Sequence, residues 1–409
     1  MIRPYRSIVS AASIVLAASA CAQLRTEVVA SGLTQPIYTA VDPSGNGTRY
    51  IVEKGGTIRS LSGGSSQTFF QFGAGQISTN GERGLLSVAF APNYGTTGHA
   101  YLYYTDPNGA LTISRFTKSS SGNFLDESTK LDILKIDHPG TNHNGGTIKF
   151  GSDGYLYLAT GDGGGPNDVD QNAQNPNSLL GKMLRIRPNE AASSTNSEPR
   201  YFTNGNPFEG NDGLSARDEI WSFGYRNPFR FSFDDVARGG TGALVVADVG
   251  ENAFEEINYE PFGAGGRNYG WSPFEGNQAT GVGTLAYADT KPTFVYDRSL
   301  GSSITGGFIY RGSLLGEEFK GRYFFGDFVS QRFFSLGLVP SGNGEMSSGT
   351  LLEHTLDLGS IVAIEQDFDG EILVTDISGR VVRVVPEPGT FAAVGVGLIA
   401  LLRRRRKTA

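Results

Sequence analysis

Cysteine is nearly absent from this 409-residue chain, with Cys21 the single example, and methionine (three), tryptophan (two) and histidine (four) are also scarce. One thiol excludes a disulfide framework and a cysteine-ligated metal centre. Charged residues make up only 18% of the chain, too few for a coiled coil or a helical bundle rich in Glu, Lys and Arg. Bulk disorder is excluded by the 11% of aromatic residues. No Gly-x-Ser-x-Gly elbow, His-Glu-x-x-His pair or Walker loop occurs, which removes the common serine-hydrolase, zinc-protease and nucleotide-loop chemistries. What the chain has in excess is glycine (57) beside 17 Tyr and 26 Phe, a mixture suited to short strands joined by tight turns.

The two ends read as addresses. Arg3 and Arg6 precede an apolar stretch, Ile8 to Ala20, and small-x-small sites at Ala18-Ser19-Ala20 and Ala20-Cys21-Ala22, which predicts a signal peptide over residues 1–22. Cys21 lies at the processing site, but Ala18 stands where a lipidation motif prefers Leu. At the other end, Pro386-Glu387-Pro388-Gly389 is followed by an apolar run, Phe391 to Leu402, and by Arg403 to Arg406 and Lys407. That run is short for a span, which needs about 20 residues, and its basic end would stay cytoplasmic. The ends carry six net positive charges, so the body at residues 23–385 stands near −13 and repels nucleic acid.

Within the body a unit recurs: three or four strand formers, then Asp or Gly and a turn. Examples are Tyr50-Ile51-Val52-Glu53, Tyr101-Leu102-Tyr103-Tyr104-Thr105-Asp106, Tyr155-Leu156-Tyr157-Leu158 before Gly161-Asp162, Leu244-Val245-Val246-Ala247-Asp248, Tyr323-Phe324-Phe325-Gly326-Asp327 and Ile372-Leu373-Val374-Thr375-Asp376. Six units of roughly 60 residues predict an all-β fold, a six-bladed β-propeller with generous loops. A pair of β-sandwiches is the alternative. The spacing widens around 160–240 and 250–300, in inserts rich in Gly, Asn and Pro, and long loops of this kind usually carry function.

Three stretches offer chemistry. His143 sits in the polar loop Thr141-Asn142-His143-Asn144-Gly145-Gly146, where an imidazole can accept a proton near neutrality. Arg226 and Asn227 follow Gly224-Tyr225, and Arg carries a fixed fork of donors. The acidic turn from Asp248 through Gly250 and Glu251 to Glu256 offers carbonyl and carboxylate oxygens to a hard cation. Each also has a bland reading: a structural histidine, a surface ion pair, a packed turn. Asp168-x-Asp170-x-Asn172 begins like a calcium loop, but Ala173 replaces the turn glycine and Leu179 the bidentate Glu, so it reads as a surface turn.

Taken in order, His143 with Gly145-Gly146, Gly161-Asp162-Gly163-Gly164, Leu179-Leu180-Gly181-Lys182, Gly224 to Pro228, Asp248 to Glu251 and Asn268-Tyr269-Gly270-Trp271 resemble the glucose/sorbosone dehydrogenase family. That family includes soluble aldose dehydrogenases dependent on pyrroloquinoline quinone (PQQ) and propellers like the hedgehog-interacting protein. The resemblance covers about residues 30–385 and implies a six-bladed propeller. It implies His143 as general base and Arg226 as stabiliser of charge on the quinone. It sets Glu82, Asn142, Arg226 and Asn227 around PQQ, with Arg332 the candidate substitute for a missing late-blade cation. It also implies calcium at the carbonyls of Gly250 and Glu251, and a second calcium at Glu256 with the backbone of Tyr269. The chain departs from the sugar dehydrogenases where Glu82 replaces a glutamine and Glu251 a proline, and where Phe328 to Arg332 and Gly359 to Val362 lack an obvious lysine and two arginines for the cofactor carboxylates. The C-terminal triad of elements resembles the PEP-CTERM sorting signal of Gram-negative bacteria, which implies an exosortase-type processing enzyme, transient membrane anchoring through residues 386–409 and a destination at the cell surface or extracellular matrix. Two functions follow as expectations: an exported PQQ- and calcium-dependent dehydrogenase converting an aldose sugar to a lactone, or a non-catalytic calcium-stabilised propeller binding polysaccharide or a protein.

Overall fold

The computed structural model describes residues 23–210 and 215–388. The expected signal peptide with Cys21, and the tail from residue 389, lie outside the described residues. Leu24–Pro386 forms one compact unit. Just beyond it, the Glu387 N–H donates to the Gln23 carbonyl (2.8 Å).

Six antiparallel sheets of four or five strands form the body, with a two-stranded ribbon, Phe274–Glu275 and Gln278–Ala279, in the insert of blade 4. Blade 1 runs through Pro36–Val41, Arg49–Glu53, Thr57–Ser62 and Ser65–Gln71, and blade 2 through Leu85–Phe90, His99–Thr105, Leu111–Lys118 and Leu125–Ile136. Blade 3 takes Ile148–Phe150, Leu156–Thr160 and Lys182–Pro188, with the fourth place divided between Tyr201–Phe202 and Ile220–Phe223. Blade 4 is Pro228–Phe233, Leu244–Asp248, Phe254–Glu260 and Phe294–Asp297, and blade 5 is Ile304–Ile309, Tyr323–Asp327, Phe333–Gly342 and Glu345–His354. Blade 6 is Ile361–Gln366, Ile372–Asp376 and Arg380–Pro386, closed on its outer edge by the first strand of the body, Leu24–Ala30. The first strands of successive blades pack on one another around the ring, and the last on the first, except that Pro228–Phe233 of blade 4 meets the second strand of blade 3, Leu156–Thr160; the ring is the six-bladed propeller expected from the repeat. Helix among the described residues of the body, 24–386, is limited to Tyr94–Thr97 and three single 3-10 turns.

Inner strands such as Leu85–Phe90, Leu156–Thr160 and Ile372–Asp376 are buried at every position, so both faces of a blade pack against its neighbours. Tyr50, Phe69, Phe90 and Tyr94 interlock between blades 1 and 2, and Tyr296, Tyr323, Phe325 and Phe334 between blades 4 and 5. The recurring sequence unit is the second strand of each blade, and its terminal acid has a shared task. Glu53 accepts the Thr34 N–H (2.7 Å), Asp248 those of Arg226 and Asn227 (2.9 and 2.7 Å), Asp327 that of Ser303 (2.8 Å) and Asp376 that of Gly359 (3.2 Å). Each acceptor thereby pins the loop that enters its own blade's first strand.

Ring strands need a tie across the axis, and Arg230 supplies it. The side chain starts on blade 4 and is almost wholly buried. Nη2 donates to the Ile37 carbonyl of blade 1 (2.7 Å), Nε to Val362 of blade 6 (3.0 Å), and Nη1 to the Gly146 carbonyl and Thr147 hydroxyl before blade 3 (3.1 and 3.2 Å). The guanidinium carbon stacks 4.2 Å from the Phe229 ring centroid. Burial lowers its pKa to about 10, so it is charged at neutral pH. Arg230→Met removes the donors while filling similar volume, leaving several buried carbonyls unpaired at about 1–3 kcal/mol each. We expect a loss of about 3 kcal/mol or more in urea unfolding; a loss under about 1 kcal/mol would show that the ring closes without this tie.

Candidate active site

The loops that lead into the first strands of blades 2, 3 and 4 converge at one end of the axis, and the sequence-predicted residues lie on them. Gly81-Glu82 precedes blade 2, Asn142-His143 blade 3 and Arg226-Asn227 blade 4. His143 is 5% exposed and has φ 56°, a left-handed conformation uncommon outside glycine. Three contacts hold it there. The Glu82 carboxylate takes its backbone N–H (2.8 Å), His138 Nε2 lies 3.0 Å from its carbonyl, and its own Nδ1 lies 2.7 Å from Asp162 Oδ1. Gly161 allows this packing, since a Cβ there would stand 2.0 Å from the His143 carbonyl. Asn142 lies in the same loop, its side-chain oxygen so close to Gly164 that a Cβ there would meet it at 2.4 Å.

Asp162 is 1% exposed and fully engaged. Oδ1 also accepts the Gly164 N–H (2.9 Å), and Oδ2 accepts the indole N–H of Trp271 (2.8 Å). A carboxylate only accepts, so Nδ1 of His143 carries a proton, and in the neutral ring the lone pair is on Nε2. Asp162 stands two residues past its strand, near the place where Glu53, Asp248, Asp327 and Asp376 pin backbone; here the acid holds a side chain instead.

The Arg226 N–H donates to Asp248, and Nη1 donates to the carbonyls of Val249 and Gly250 (3.1 and 3.0 Å). Its Nε is buried with no hydrogen-bond partner among the described residues. An unpaired buried donor is costly, and a ligand oxygen would satisfy it. The guanidinium carbon lies 5.6 Å from the Trp271 ring centroid. Asn227 Oδ1 accepts the Gly145 N–H (3.1 Å), tying the Arg-Asn pair to the His143 loop.

Gly250 is forced by close approach, as a Cβ would lie 1.6 Å from the Phe254 carbonyl. The rest of this turn wraps a carboxylate: Glu275 Oε1 accepts the N–H groups of Glu251, Asn252, Ala253 and Phe254 at 2.7–3.1 Å. Glu251 in turn accepts the Asn167 N–H with its own carboxylate (3.0 Å). Glu256 is buried and accepts from Gly276 N–H (2.6 Å); burial, with Glu275 and Glu255 nearby, raises its pKa to about 7. Burial, with Glu256 beside it, also raises that of Asp248. Tyr269 is buried against the Tyr225 ring (centroids 5.0 Å apart), its hydroxyl on Glu260 (3.2 Å).

Arg332 is differently placed in bonding terms. It pairs with Glu353 through Nε and Nη2, and Nη1 donates to the carbonyls of Ser299 and Leu300 (3.2 and 2.9 Å). Asp168, expected in a surface turn, is instead 1% exposed, accepting the N–H groups of Asn172 and Ala173 (both 2.8 Å). Burial raises its pKa to about 6. Beside it, buried Lys182 donates to the carbonyls of Asn172, Ala173 and Leu180 (2.7–3.1 Å), fixing the Gly-rich insert. Sequence reasoning gave Asp162 and Trp271 no individual role, although both lie in motifs it singled out. Glu275 carried no local signal, because the four N–H groups it binds lie 21–24 residues upstream.

Fold and site together define a six-bladed propeller with a buried His143–Asp162 pair and an arginine of unpaired Nε at one end of its axis. The glucose/sorbosone dehydrogenase profile matches residues 33–383, and the chain belongs to that family. The PEP-CTERM protein-sorting motif matches residues 384–407. The HIPL2 protein of Arabidopsis thaliana is 34% identical over 238 residues, 54% of this chain and 33% of that protein. Aldose sugar dehydrogenase YliI of Escherichia coli is 28% identical over 259 residues, 62% of this chain and 63% of that enzyme. The chain thus spans about a third of the plant relative and under two thirds of the bacterial one. The PQQ-bound aldose sugar dehydrogenase of Streptomyces coelicolor shares the fold, with a TM-score of 0.64, 21% identity and coverage of 90% of this chain and 99% of that one.

Glu275→Gln keeps an acceptor oxygen but removes its charge from four donors. We expect a loss of about 1–2 kcal/mol in stability and faster hydrogen exchange confined to amides 251–254. Unchanged exchange at those amides would show that the turn holds its shape without the carboxylate.

Proposed function

We propose that this chain is a sugar dehydrogenase that oxidises the hydroxyl at the first carbon of an aldose to the lactone, using PQQ and calcium. The observation that carries the reading is the His143–Asp162 pair beside the unsatisfied Nε of Arg226. Asp162 fixes the ring tautomer, so Nε2 of His143 is left to take the proton of the sugar hydroxyl. The resulting imidazolium is stabilised by the same carboxylate. Arg226 and Asn227 suit a quinone: the guanidinium offers a donor that lacks a partner, and its charge favours negative charge growing on an oxygen. Bound PQQ would supply the acceptor for the hydride leaving the sugar carbon, so that one proton and one hydride depart together and a lactone remains. The oxygen-rich turn at Gly250 and Glu251 suits calcium in donor type. Among the described residues no group of three or more His, Cys, Asp or Glu could hold a metal, so that ion would rest on backbone carbonyls, one of which already receives Arg226 Nη1. Family membership supports the reading, as does the aldose activity in the name of the E. coli relative. The sorting motif supports export, processing by an exosortase-type enzyme and work on a small-molecule sugar or on polysaccharide at the cell surface.

A second reading, a non-catalytic propeller binding polysaccharide or a protein, is favoured by one observation. Arg332, the cation available for a cofactor carboxylate, is already committed to Glu353 and two carbonyls. Dye reduction by the full chain across a panel of aldoses, with PQQ and calcium present or withheld, separates the two. We expect turnover that needs both, and a fall of about 10²–10⁴-fold in His143→Ala without loss of fold. Absence of turnover together with absence of a bound-quinone spectrum would leave the binding propeller.

A further inference from the structure

The indole of Trp271 touches both halves of the candidate site. Its Nε1–H donates to Asp162 Oδ2 at 2.8 Å, on the oxygen opposite the one that holds His143, and its ring centroid lies 5.6 Å from the guanidinium carbon of Arg226. The side chain is 4% exposed, and its backbone is fixed in turn: the N–H donates to the Gly224 carbonyl (3.0 Å) and the carbonyl accepts from Gln174 Nε2 (2.7 Å). Gly224 is two residues from Arg226, so the indole is held by the same turn that presents the guanidinium. Asp162 and Trp271 are 109 residues apart and belong to blade 3 and to the blade 4 insert.

We propose that Trp271 is a positioning residue for proton transfer: by donating to Asp162 it sets the direction and strength of the carboxylate's hydrogen bond to His143, and with its ring it fixes the height of Arg226 over the same point. Two oxygens of one carboxylate share one charge. A donor on Oδ2 draws charge from Oδ1 and prevents the carboxylate from rotating to chelate the imidazole differently. Without the indole N–H, the Oδ1 bond to Nδ1–H strengthens and its direction is no longer fixed from two sides. A purely packing role for Trp271 would leave that bond unchanged as long as the protein is folded.

This inference rests on the reading of His143 as proton acceptor, but its first test does not need turnover. In proton NMR of the full chain, the Nδ1–H of His143 bonded to Asp162 gives a downfield resonance, identified by its loss in His143→Ala. Trp271→Phe retains a ring and removes the donor, and is expected to move that resonance further downfield. The wild-type background gives an independent check. The sequence has only two tryptophans, Trp221 and Trp271, hence two indole N–H signals. Asp162→Asn is expected to shift one of them and leave the Trp221 signal, bonded to Glu260, in place. Where turnover with an aldose is observed, Trp271→Phe is expected to lower kcat by about 10- to 100-fold, to displace the pH profile of kcat, and to change KM by less than about twofold. An unmoved His143 resonance in Trp271→Phe, or an unmoved indole signal in Asp162→Asn, overturns the proposal. So does a variant that loses only thermal stability, with kcat and its pH profile intact. A chain that shows both NMR shifts yet oxidises no sugar keeps the positioning contact and loses the dehydrogenase reading.

Discussion

A charged side chain on the axis of a ring is the constraint around which this propeller is arranged. Arg230 reaches from blade 4 to carbonyls on blades 1 and 6 and to the loop before blade 3. The ion pair between Lys149 and Glu365 crosses the same space. Taking a guanidinium out of water is unfavourable unless its donors are all used, so the acceptors must stand where they do. That requirement fixes how far the first strands can move relative to one another. It also fixes the loops at their upstream ends, because Gly146 and Thr147 are both acceptors for Arg230 and near neighbours of His143.

The same economy of parts explains the repeated acid at the end of each second strand. In blades 1, 4, 5 and 6 it is a backbone pin, replacing water around the N–H groups of an incoming loop. Near the matching place in blade 3 the chain runs two residues further, and the acid meets an imidazole and an indole. A structural device that recurs for stability has thus acquired polar partners able to take part in chemistry. Its neighbour in blade 4 still pins the backbone of Arg226 and Asn227.

Much of this was legible in the sequence because it is local. A strand ending in an acid and a turn occupies consecutive residues, so the repeat and its six copies could be read directly, and so could the glycine-bearing loops at His143 and Gly250. The partners were not legible, because each bond that gives a residue its role spans the chain. His143 needs Glu82 and Asp162, Arg226 needs Trp271, and the Gly250 turn needs Glu275. The Asp168 turn misled for the same reason. Its acidic spacing suggests solvent, but Lys182 and the packed Gly-rich insert bury it. The commitment of Arg332 to Glu353 was hidden because the two meet only once adjacent strands of blade 5 pair.

The closure of blade 6 joins residues from opposite ends of the body. Leu24–Ala30 pairs with Arg380–Pro386, so the ring cannot shut until nearly the whole chain is available. The loop that must be closed is hundreds of residues long, yet its entropic penalty grows only with the logarithm of that length, and a single strand pairing can secure it. A chain cut short before residue 380 would expose the edge of Ile372–Asp376 and leave Leu24–Ala30 without its partner. Pro386 is both the last residue of the closing strand and the first of the Pro-Glu-Pro sequence. The last strand needed to close the ring and the start of the sorting motif therefore share residues 384–386, so the body has no spacer between its final hydrogen-bonded strand and the Pro-Glu-Pro sequence.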